Sequence, residues 1–336
     1  MKRLLIPLFA GLLLSCLHTS VAAQKDRVKE QKEKQEQKEQ ERAEKQEQKE
    51  KEREERNRER DERRKQAEKE KYPESVSEHI SKQFTVKPGM AKLAVYNLEG
   101  SIKVEGYAGD KVLIEIDQAI AAPNKEILEQ GKKEIKLGFD QVGDSVAAYM
   151  QYPWDTRPHD WRDWDGNNRH IEYRCHLNYT IKVPYSSSLH VSTVNDGDIS
   201  VKDVTGTLVV YNVNGAIDIA NAKGATKAHT INGNLTVTYK SNPPAASSYY
   251  TLNGKLTAVF QPDLSADLQF KSMNGAFYTD FENTSLLAPT VVKNTEKKGD
   301  ATVYKLNKDT RLRIGAGGKD FKFETLNGNI YIKKQS

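Results

Sequence analysis

The sequence predicts an all-β protein, built as a β-solenoid of stacked short strands and preceded by a long charged α-helix. Three observations predict this fold. Glycine recurs every nine residues between Gly197 and Gly233. Asn-Gly pairs, each followed by a short strand-like stretch, mark alternate turns of this repeat. Upstream, residues 24–71 consist almost entirely of Lys, Arg, Glu and Gln, which favour helix.

The first 23 residues have the organisation of a secretory signal peptide. Lys2 and Arg3 form a short basic region, and residues 4–14 form an apolar run too short to span a bilayer comfortably. Small residues at 21–23 provide a cleavage site before Gln24. We therefore expect export, with residues 1–23 removed as a signal peptide.

A second candidate for the mature N-terminus is lipidation at Cys16, because residues 13–16 read Leu-Leu-Ser-Cys and resemble a bacterial lipobox. Either route predicts an exported protein that is periplasmic, outer-membrane-associated or secreted, with a lipid anchor as its only membrane contact. The other cysteine, Cys175, alternates in phase with apolar residues. This phase predicts a buried small hydrophobic side chain and not a reactive thiol.

Residues 24–72 predict a charged helical spacer. Residues 24–71 hold 19 basic and 17 acidic side chains, and pairs such as Glu30 and Lys34 are spaced to support a helix. A continuous helix of this length would extend about 72 Å at 1.5 Å per residue. Apolar heptads are absent, which excludes a coiled-coil seam. A polyampholyte coil is the alternative.

The net charge argues against a nucleic-acid partner once it is divided by segment. The chain carries 52 Lys and Arg residues against 47 Asp and Glu residues, a formal charge of +5. Of these, residues 1–23 contribute two basic groups and residues 24–71 contribute two net positive charges. The remaining 31 basic and 30 acidic groups leave the β region nearly neutral. A nucleic-acid partner would require a more basic surface.

Side chains keep the same nine-residue register as the glycines. The first lane is Ile199, Leu208, Ile217, Thr226 and Leu235. The second lane is Val201, Val210, Ile219, Ala228 and Val237, and the third is Val204, Val213, Ala222 and Ile231. The first two lanes are two residues apart and point to one face of a strand. Each unit therefore predicts a turn, a short strand and another turn.

The glycines of the Asn-Gly pairs and their variants are predicted to occupy structural turns. They are Gly100, Gly197, Gly215, Gly233, Gly254, Gly275 and Gly328. At Gly215 we expect a positive φ, which favours glycine. The spacing between successive Asn-Gly pairs is 18 residues from Asn214 to Asn232 and 21 residues from Asn253 to Asn274.

Asn-Gly between apolar runs is also a hairpin signal, so an antiparallel meander is the rival architecture. A two-residue loop at Asn214-Gly215 would pair Asn212 with Ile217 and place a polar side chain on the face that buries Ile217. Coils of 18 residues instead stack Ile199, Ile217 and Leu235 in one column, with the asparagines in a ladder. This stacking favours the solenoid.

A family resemblance accompanies these repeats. The stretches Tyr179-Thr-Ile-Lys-Val-Pro184 and Leu189-His-Val-Ser-Thr-Val-Asn-Asp-Gly-Asp-Ile-Ser-Val201 resemble the bacterial putative-adhesin family, a domain of unknown function. Further matching stretches occur over residues 84–104 and 313–330. The resemblance implies one continuous, exported, repetitive all-β domain over residues 84–334, in part a right-handed solenoid. It supplies no active-site residues.

Within this domain we distinguish an N-terminal β region, residues 73–192, from a Gly-repeat solenoid, residues 193–336. The N-terminal part contains a Trp-rich loop, residues 150–170, which holds all three tryptophans of the chain. The candidate ligand-binding residues of this loop are Trp154, Trp161, Trp164, Asp163 and Asp165.

Three interpretations of the loop compete. It is a polar connection pinned to the sheet by its tryptophans, a carbohydrate contact in which indoles stack on sugar faces, or a calcium site at Asp163-x-Asp165-Gly166-Asn167. The distal glutamate that completes a calcium-binding loop is absent, so we assign no metal.

Catalytic and cofactor signatures are absent from the sequence: it has no HExxH helix, no G-x-S-x-G elbow and no P-loop. We therefore predict no cofactor and no enzymatic activity. The sequence favours an exported adhesin or envelope scaffold that binds a cell-surface polymer or envelope protein. One alternative is a polysaccharide lyase or hydrolase roofed by the Trp-rich loop, and a second is a periplasmic signalling accessory.

Overall fold

A computed structural model describes residues 66–158, 171–288, 291–298, 301–306 and 309–335, together with seven separate positions between 48 and 63. The chain divides into two compact units, Met1–Lys71 and Tyr72–Ser336. The described positions of the first unit are helical, including residues 66–71. No described helix is both long and apolar enough to cross a membrane. The predicted signal peptide, residues 1–23, and the predicted lipidation site Cys16 lie outside the described residues.

The second unit is mostly β-structure, which confirms the all-β prediction. Its first eleven strands are β1 Glu74–Thr85, β2 Lys92–Tyr96, β3 Ile102–Tyr107, β4 Lys111–Ala122, β5 Lys136–Val142, β6 Ser145–Tyr152, β7 Arg174–Pro184, β8 Ser188–Thr193, β9 Ile199–Lys202, β10 Leu208–Asn212 and β11 Ile217–Ala222. The others are β12 Thr226–Asn232, β13 Leu235–Tyr239, β14 Ser247–Asn253, β15 Leu256–Phe260, β16 Ala266–Asn274, β17 Phe277–Thr279, β18 Thr284–Leu287, β19 Val291–Lys298, β20 Ala301–Leu306, β21 Thr310–Ile314, β22 Lys319–Asn327 and β23 Ile330–Lys334. A helix, α1, spans Lys125–Glu134 between β4 and β5.

The strands form two large mixed sheets and a separate β19–β20 pair. One of the two large sheets has ten strands in the order β1-β4-β7-β3-β9-β11-β13-β15-β23-β17. The larger has eleven, in the order β18-β21-β16-β22-β14-β12-β10-β8-β2-β6-β5. Buried and exposed side chains alternate along most strands, and the buried ones form one apolar core cluster.

Strands β8 to β15 alternate between the two sheets, and within this range strands two places apart in the chain pair in parallel, from β8 with β10 to β13 with β15. Ile217 lies in register with both Ile199 and Leu235, as the column argument predicted. Strand β10 pairs with β8 and β12, not with β11, so Asn214-Gly215 closes no hairpin. The meander alternative is therefore wrong.

One step of the sequence argument against the meander was nevertheless wrong. Asn212 is buried in the structure, with 2% of its surface exposed. Its amide donates to the carbonyl oxygens of Gly197 at 3.0 Å and Ala216 at 3.3 Å, and its Oδ1 accepts from the amide of Val213 at 2.8 Å. A polar side chain is tolerated on the core face because it satisfies the backbone of the turn.

Strand order departs from chain order near the C-terminal end of the stack. Strand β22 lies between β14 and β16, and β23 lies between β15 and β17. The 21-residue spacing suggested that Asn274 follows Asn253 directly. Instead, Asn327 lies between them and is hydrogen-bonded to both. A later segment with the same turn sequence occupies the intervening position.

The N-terminal β region contributes longer, antiparallel strands to the same sheets. Strand β4 pairs antiparallel with both β1 and β7, and β5 forms an antiparallel hairpin with β6. Strands β2 and β3 pair in parallel with β8 and β9 of the repeats. Helix α1 is capped by Asn124, whose side chain accepts from the amide of Ile127, and it buries Leu128. Residues 73–192 and 193–336 thus share both sheets.

Candidate ligand-binding surface

Of the five predicted ligand-binding residues, Trp154 is the one that the structure describes. Its side chain is 39% exposed. The other four, Trp161, Asp163, Trp164 and Asp165, lie outside the described residues, so their role stays a prediction. Within the described ranges, no group of three or more His, Cys, Asp or Glu side chains is placed to hold a metal ion.

The predicted turn glycines stack directly on one another along the parallel strands. A Cβ atom at Gly215 would lie 2.1 Å from the carbonyl oxygen of Gly197, and one at Gly233 would lie 2.1 Å from that of Gly215. The expectation of a positive φ at Gly215 is wrong, since among the seven predicted turn glycines only Gly100 has one, at 115°. Glycine is needed at Gly215 because backbones touch there.

The predicted asparagine ladder runs beside these glycines. From the second member onward, each side-chain amide donates to the Oδ1 of the preceding asparagine, at 2.7 to 2.9 Å. In spatial order the members are Asn195, Asn214, Asn232, Asn253, Asn327 and Asn274. The ladder is a structural feature of the turns, because its amide groups are occupied by one another.

Cys175 is buried, as predicted, and 3% of its surface is exposed. Burial raises the pKa of its thiol to about 11, and Gln118 Nε2 donates to its Sγ at 3.6 Å. A thiol of this kind is protonated at neutral pH and is a poor nucleophile.

The feature that sequence reasoning missed is a line of aromatic rings on the outer face of the eleven-stranded sheet, which we term the aromatic ribbon. Its five half-buried members are Tyr96, His190, Tyr211, His229 and Tyr250. Successive ring centroids are 5.3, 5.8, 5.9 and 4.2 Å apart. The rings therefore form an unbroken track across β2, β8, β10, β12 and β14.

Parallel register aligns these rings. Tyr211 pairs with His229, and His229 pairs with Tyr250, so their side chains stand one strand spacing apart. On β8 the matching position is Ser192, which is too small to continue the line. The ring of His190, two residues earlier on the same face, fills the gap between Tyr96 and Tyr211.

Ion pairs bound the aromatic ribbon at both ends. Tyr149, on β6, is in register with Tyr96. The guanidinium of Arg157, from the loop that follows β6, lies 4.2 Å from the centre of the Tyr149 ring and is paired with Asp155 at 2.5 Å. Beyond Tyr250, the next side chain in register is Glu324, which is paired with Lys271. Asp155 and Glu324, the carboxylates of these two ion pairs, are thus held by cations of the protein.

An aliphatic row flanks the aromatic ribbon on the side of the asparagine ladder. Each member precedes a turn residue and is half-buried, and the row comprises Leu98, Val194, Val213, Ile231, Leu252 and Leu326. The third lane predicted from the sequence is therefore divided. Val204 and Ala222 are fully buried, whereas Val213 and Ile231 lie in this partly exposed row.

A shallow depression of about 390 Å³ adjoins the aromatic ribbon on its other side. Its lining includes Lys92, Ala94, Val142, Ala147, His190 and Val209. Val142 is 79% exposed, which is unusual for an aliphatic side chain. Together, the depression, the aromatic ribbon and the aliphatic row form a broad, mostly apolar outer face. Faces of this kind mark interaction sites.

The electrostatics of the face suit stacking better than acid–base chemistry. Burial, and then the charge of Lys227, lower the pKa values of His190 and His229 below 6.5, so both rings are neutral at neutral pH. Lys227 Nζ lies 5.5 Å from the centre of the Tyr211 ring. Neutral rings in a row offer flat, polarisable surfaces to a ligand.

A signal for the aromatic ribbon was present in the sequence. His190, Tyr211, His229 and Tyr250 follow one another at 21, 18 and 21 residues, which is the spacing of the Asn-Gly pairs. They occupy the positions out of phase with the buried lanes. Sequence reasoning considered the buried lanes and the tryptophan-rich loop, and it did not examine the outward positions.

No family model matches the chain, and no curated protein matches it. A solved structure of a putative cell adhesion protein from Clostridium sporogenes is 10% identical, covers 77% of this chain and 100% of its own, and has a TM-score of 0.39. A putative adhesin from Bacteroides fragilis is 10% identical, covers 77% and 97%, and has a TM-score of 0.30. A putative lipid binding protein from Parabacteroides distasonis is 8% identical, covers 77% and 97%, and has a TM-score of 0.25.

Proposed function

We propose that this protein is a non-enzymatic binding module that holds an extended cell-surface polymer along the aromatic ribbon. The observation that carries the proposal is the unbroken line of five half-buried rings on one sheet face. Four strand spacings separate Tyr96 from Tyr250, or about 19 Å. This length suits several successive sugar residues of a polysaccharide, each stacked on a ring.

In this proposal, β8 to β15 form a two-sheeted β-solenoid in which one strand of each sheet makes up a coil. The parallel register and the alternation of strands between sheets support this description. A solenoid repeats the same outward position at every coil, which is how it presents a linear ligand with a linear surface. Export by the signal peptide and display on the charged spacer, residues 24–72, complete the proposed adhesin.

The polysaccharide-active enzyme is the alternative that the test must exclude. Glycoside cleavage commonly uses two carboxyl groups that flank the scissile bond. Glu324 and Asp140, two carboxylates near the ends of the aromatic ribbon, are engaged by Lys271 and by the hydroxyl of Tyr149. Their engagement supports a binding role for this face.

The test is polysaccharide binding by the purified full chain, measured by affinity electrophoresis against a panel of soluble glycans and by retention on envelope fractions. The double variant Tyr211→Ala/Tyr250→Ala is expected to bind at least about tenfold more weakly, a loss of about 1.4 kcal/mol. Tyr278→Ala/Tyr331→Ala is the matched control, because these tyrosines stack at 5.0 Å on the ten-stranded sheet.

Equal binding by the ribbon variant and the control variant would overturn the proposal, as would failure of the parent to bind any glycan or envelope polymer. If the parent protein retained an envelope protein and no glycan, the aromatic ribbon would be assigned to a protein partner only if Tyr211→Ala/Tyr250→Ala no longer bound that protein. Release of new reducing ends from a bound glycan would favour the enzyme.

A further inference from the structure

The two flanks of the aromatic ribbon differ in chemistry. The aliphatic row, which includes Val213 and Ile231, lines one side. The other side carries exposed lysines, Lys227 on β12 and Lys322 on β22, each two residues before a position in line with the rings. A ligand lying on the rings therefore meets hydrocarbon along one edge and, over β12 to β22, positive charge along the other.

Register places the two lysines in one row. Lys227 pairs with Ser248 and Ser248 pairs with Lys322, so the lysines stand two strand spacings apart, or about 10 Å. In the described part of the chain, no carboxylate lies within ion-pair distance of either lysine. The two carboxylates nearest to Lys322 on its own strand, Asp320 and Glu324, are paired with Arg311 and Lys271.

Lys227 also acts on the rings themselves. Its ammonium lies over Tyr211 and contributes to the lowered pKa values of His190 and His229. Its positive charge is thus felt along three members of the aromatic ribbon. Since neither Lys227 nor Lys322 has an ion-pair partner among the described residues, an anionic ligand would be attracted to this edge.

We infer that the polymer held by the aromatic ribbon is an acidic polysaccharide, whose sugar faces stack on the rings and whose carboxylates meet Lys227 and Lys322. This inference rests on the proposed function and specifies its ligand class. Stacking supplies affinity for any linear glycan, whereas the lysine row supplies the preference for the acidic one.

The experiment compares polymers that share a backbone and differ in charge. Binding of the full chain to polygalacturonate and to hyaluronan is measured by affinity electrophoresis, each polymer with its carboxylates free or methyl-esterified. We expect the free acids to bind about tenfold more tightly than the esters. This ratio of affinities should fall as salt is raised from about 0.05 to about 0.5 M, because the Debye length shortens and the exposed lysines are screened.

Lys227→Gln/Lys322→Gln is expected to remove this preference, so that free acids and esters bind the variant with equal affinity. The matched control is Lys103→Gln/Lys202→Gln, two exposed lysines of the ten-stranded sheet, which should keep the preference. Equal affinity of parent protein for acids and esters would overturn the acidic class, and so would a preference that survives in Lys227→Gln/Lys322→Gln. In either case, ester or neutral-glycan binding that still requires Tyr211 and Tyr250 would leave the proposed function standing.

Discussion

The parallel stack of strands and the antiparallel strands of the N-terminal region both need glycine, but for different physical reasons. In the stack, Gly215 has no positive φ and is required because the Gly197 backbone leaves no space for a Cβ. In the β5–β6 hairpin, Gly143 has a φ of 59° and open space around it. Stacking constrains volume, whereas a tight turn constrains the dihedral angle. Glycine alone in a sequence does not tell the two apart.

Substitution of these glycines is expected to produce the largest contrast between the regions. Gly215→Val should lower the free energy of unfolding by about 4 kcal/mol or more, because the side chain meets backbone atoms that cannot move independently. Gly143→Asn should be nearly neutral, since asparagine tolerates the left-handed region. Urea unfolding of both variants provides the measurement. Similar losses in the two would contradict the stacking explanation.

Within the stack, buried and exposed asparagines should differ next. Asn212→Ala leaves the carbonyls of Gly197 and Ala216 without their side-chain donor, at a cost of about 2 kcal/mol. Asn232→Ala, in the exposed ladder, should cost less than about 1 kcal/mol because water replaces its partners. Denaturant titration of the two variants checks the order, and a larger loss at Asn232 would show that the exposed ladder is the main stabilising element.

Two histidines should give the smallest effects, with opposite pH dependence. In the antiparallel region, hydrogen bonds to Asp117 and Glu115 raise the pKa of His79 above 6.5. Its stabilisation is complete below pH 6.5 and is lost as the pH rises through the raised value. In the stack, burial lowers the pKa of His229 below 6.5. Stability is therefore lost there as the pH falls from 6.5 through the lowered value.

Melting temperatures between pH 5 and pH 8.5 separate these contributions. His79→Gln should be less stable than the parent at pH 5 and nearly equal at pH 8.5. His229→Gln should be most stable relative to the parent at pH 5, because the parent is destabilised there by protonation of the buried His229 ring and the variant is not. Parallel pH profiles for both variants and the parent would contradict the assigned environments.

The parallel register of β8 to β15 was predicted well because the sequence repeats carry similar residues at matching positions. The column Ile199, Ile217 and Leu235 and the asparagine ladder follow from such neighbours in register. The antiparallel pairing of β1, β4 and β7 could not be predicted, because these strands carry no repeat that specifies a partner. Position in the chain likewise gave no indication that β22 lies between β14 and β16.

The candidate site was predicted less well than the fold. The tryptophan content predicted a binding site in residues 150–170. Of the three tryptophans there, Trp154 is the one that the structure describes, and it is exposed. The aromatic ribbon is assembled from single residues on five strands, spread from Tyr96 to Tyr250. Only parallel register brings them together, and His190 joins the line because Ser192 leaves a gap. Such a site becomes visible only after strands are stacked in the correct register.

The insertion of β22 between β14 and β16 has a consequence for the order of folding. Ladder neighbours before this point are 21 residues apart or closer, whereas Asn253 and Asn327 are 74 residues apart. Closing the longer loop costs only about 1 kcal/mol more in chain entropy, but it requires residues 319–334 to be present. A chain synthesised N-terminus first can therefore form its parallel strand pairs up to β14 before the partner strand β22 exists. Until residues 319–327 are available, β14 has an unpaired edge with which other chains can pair.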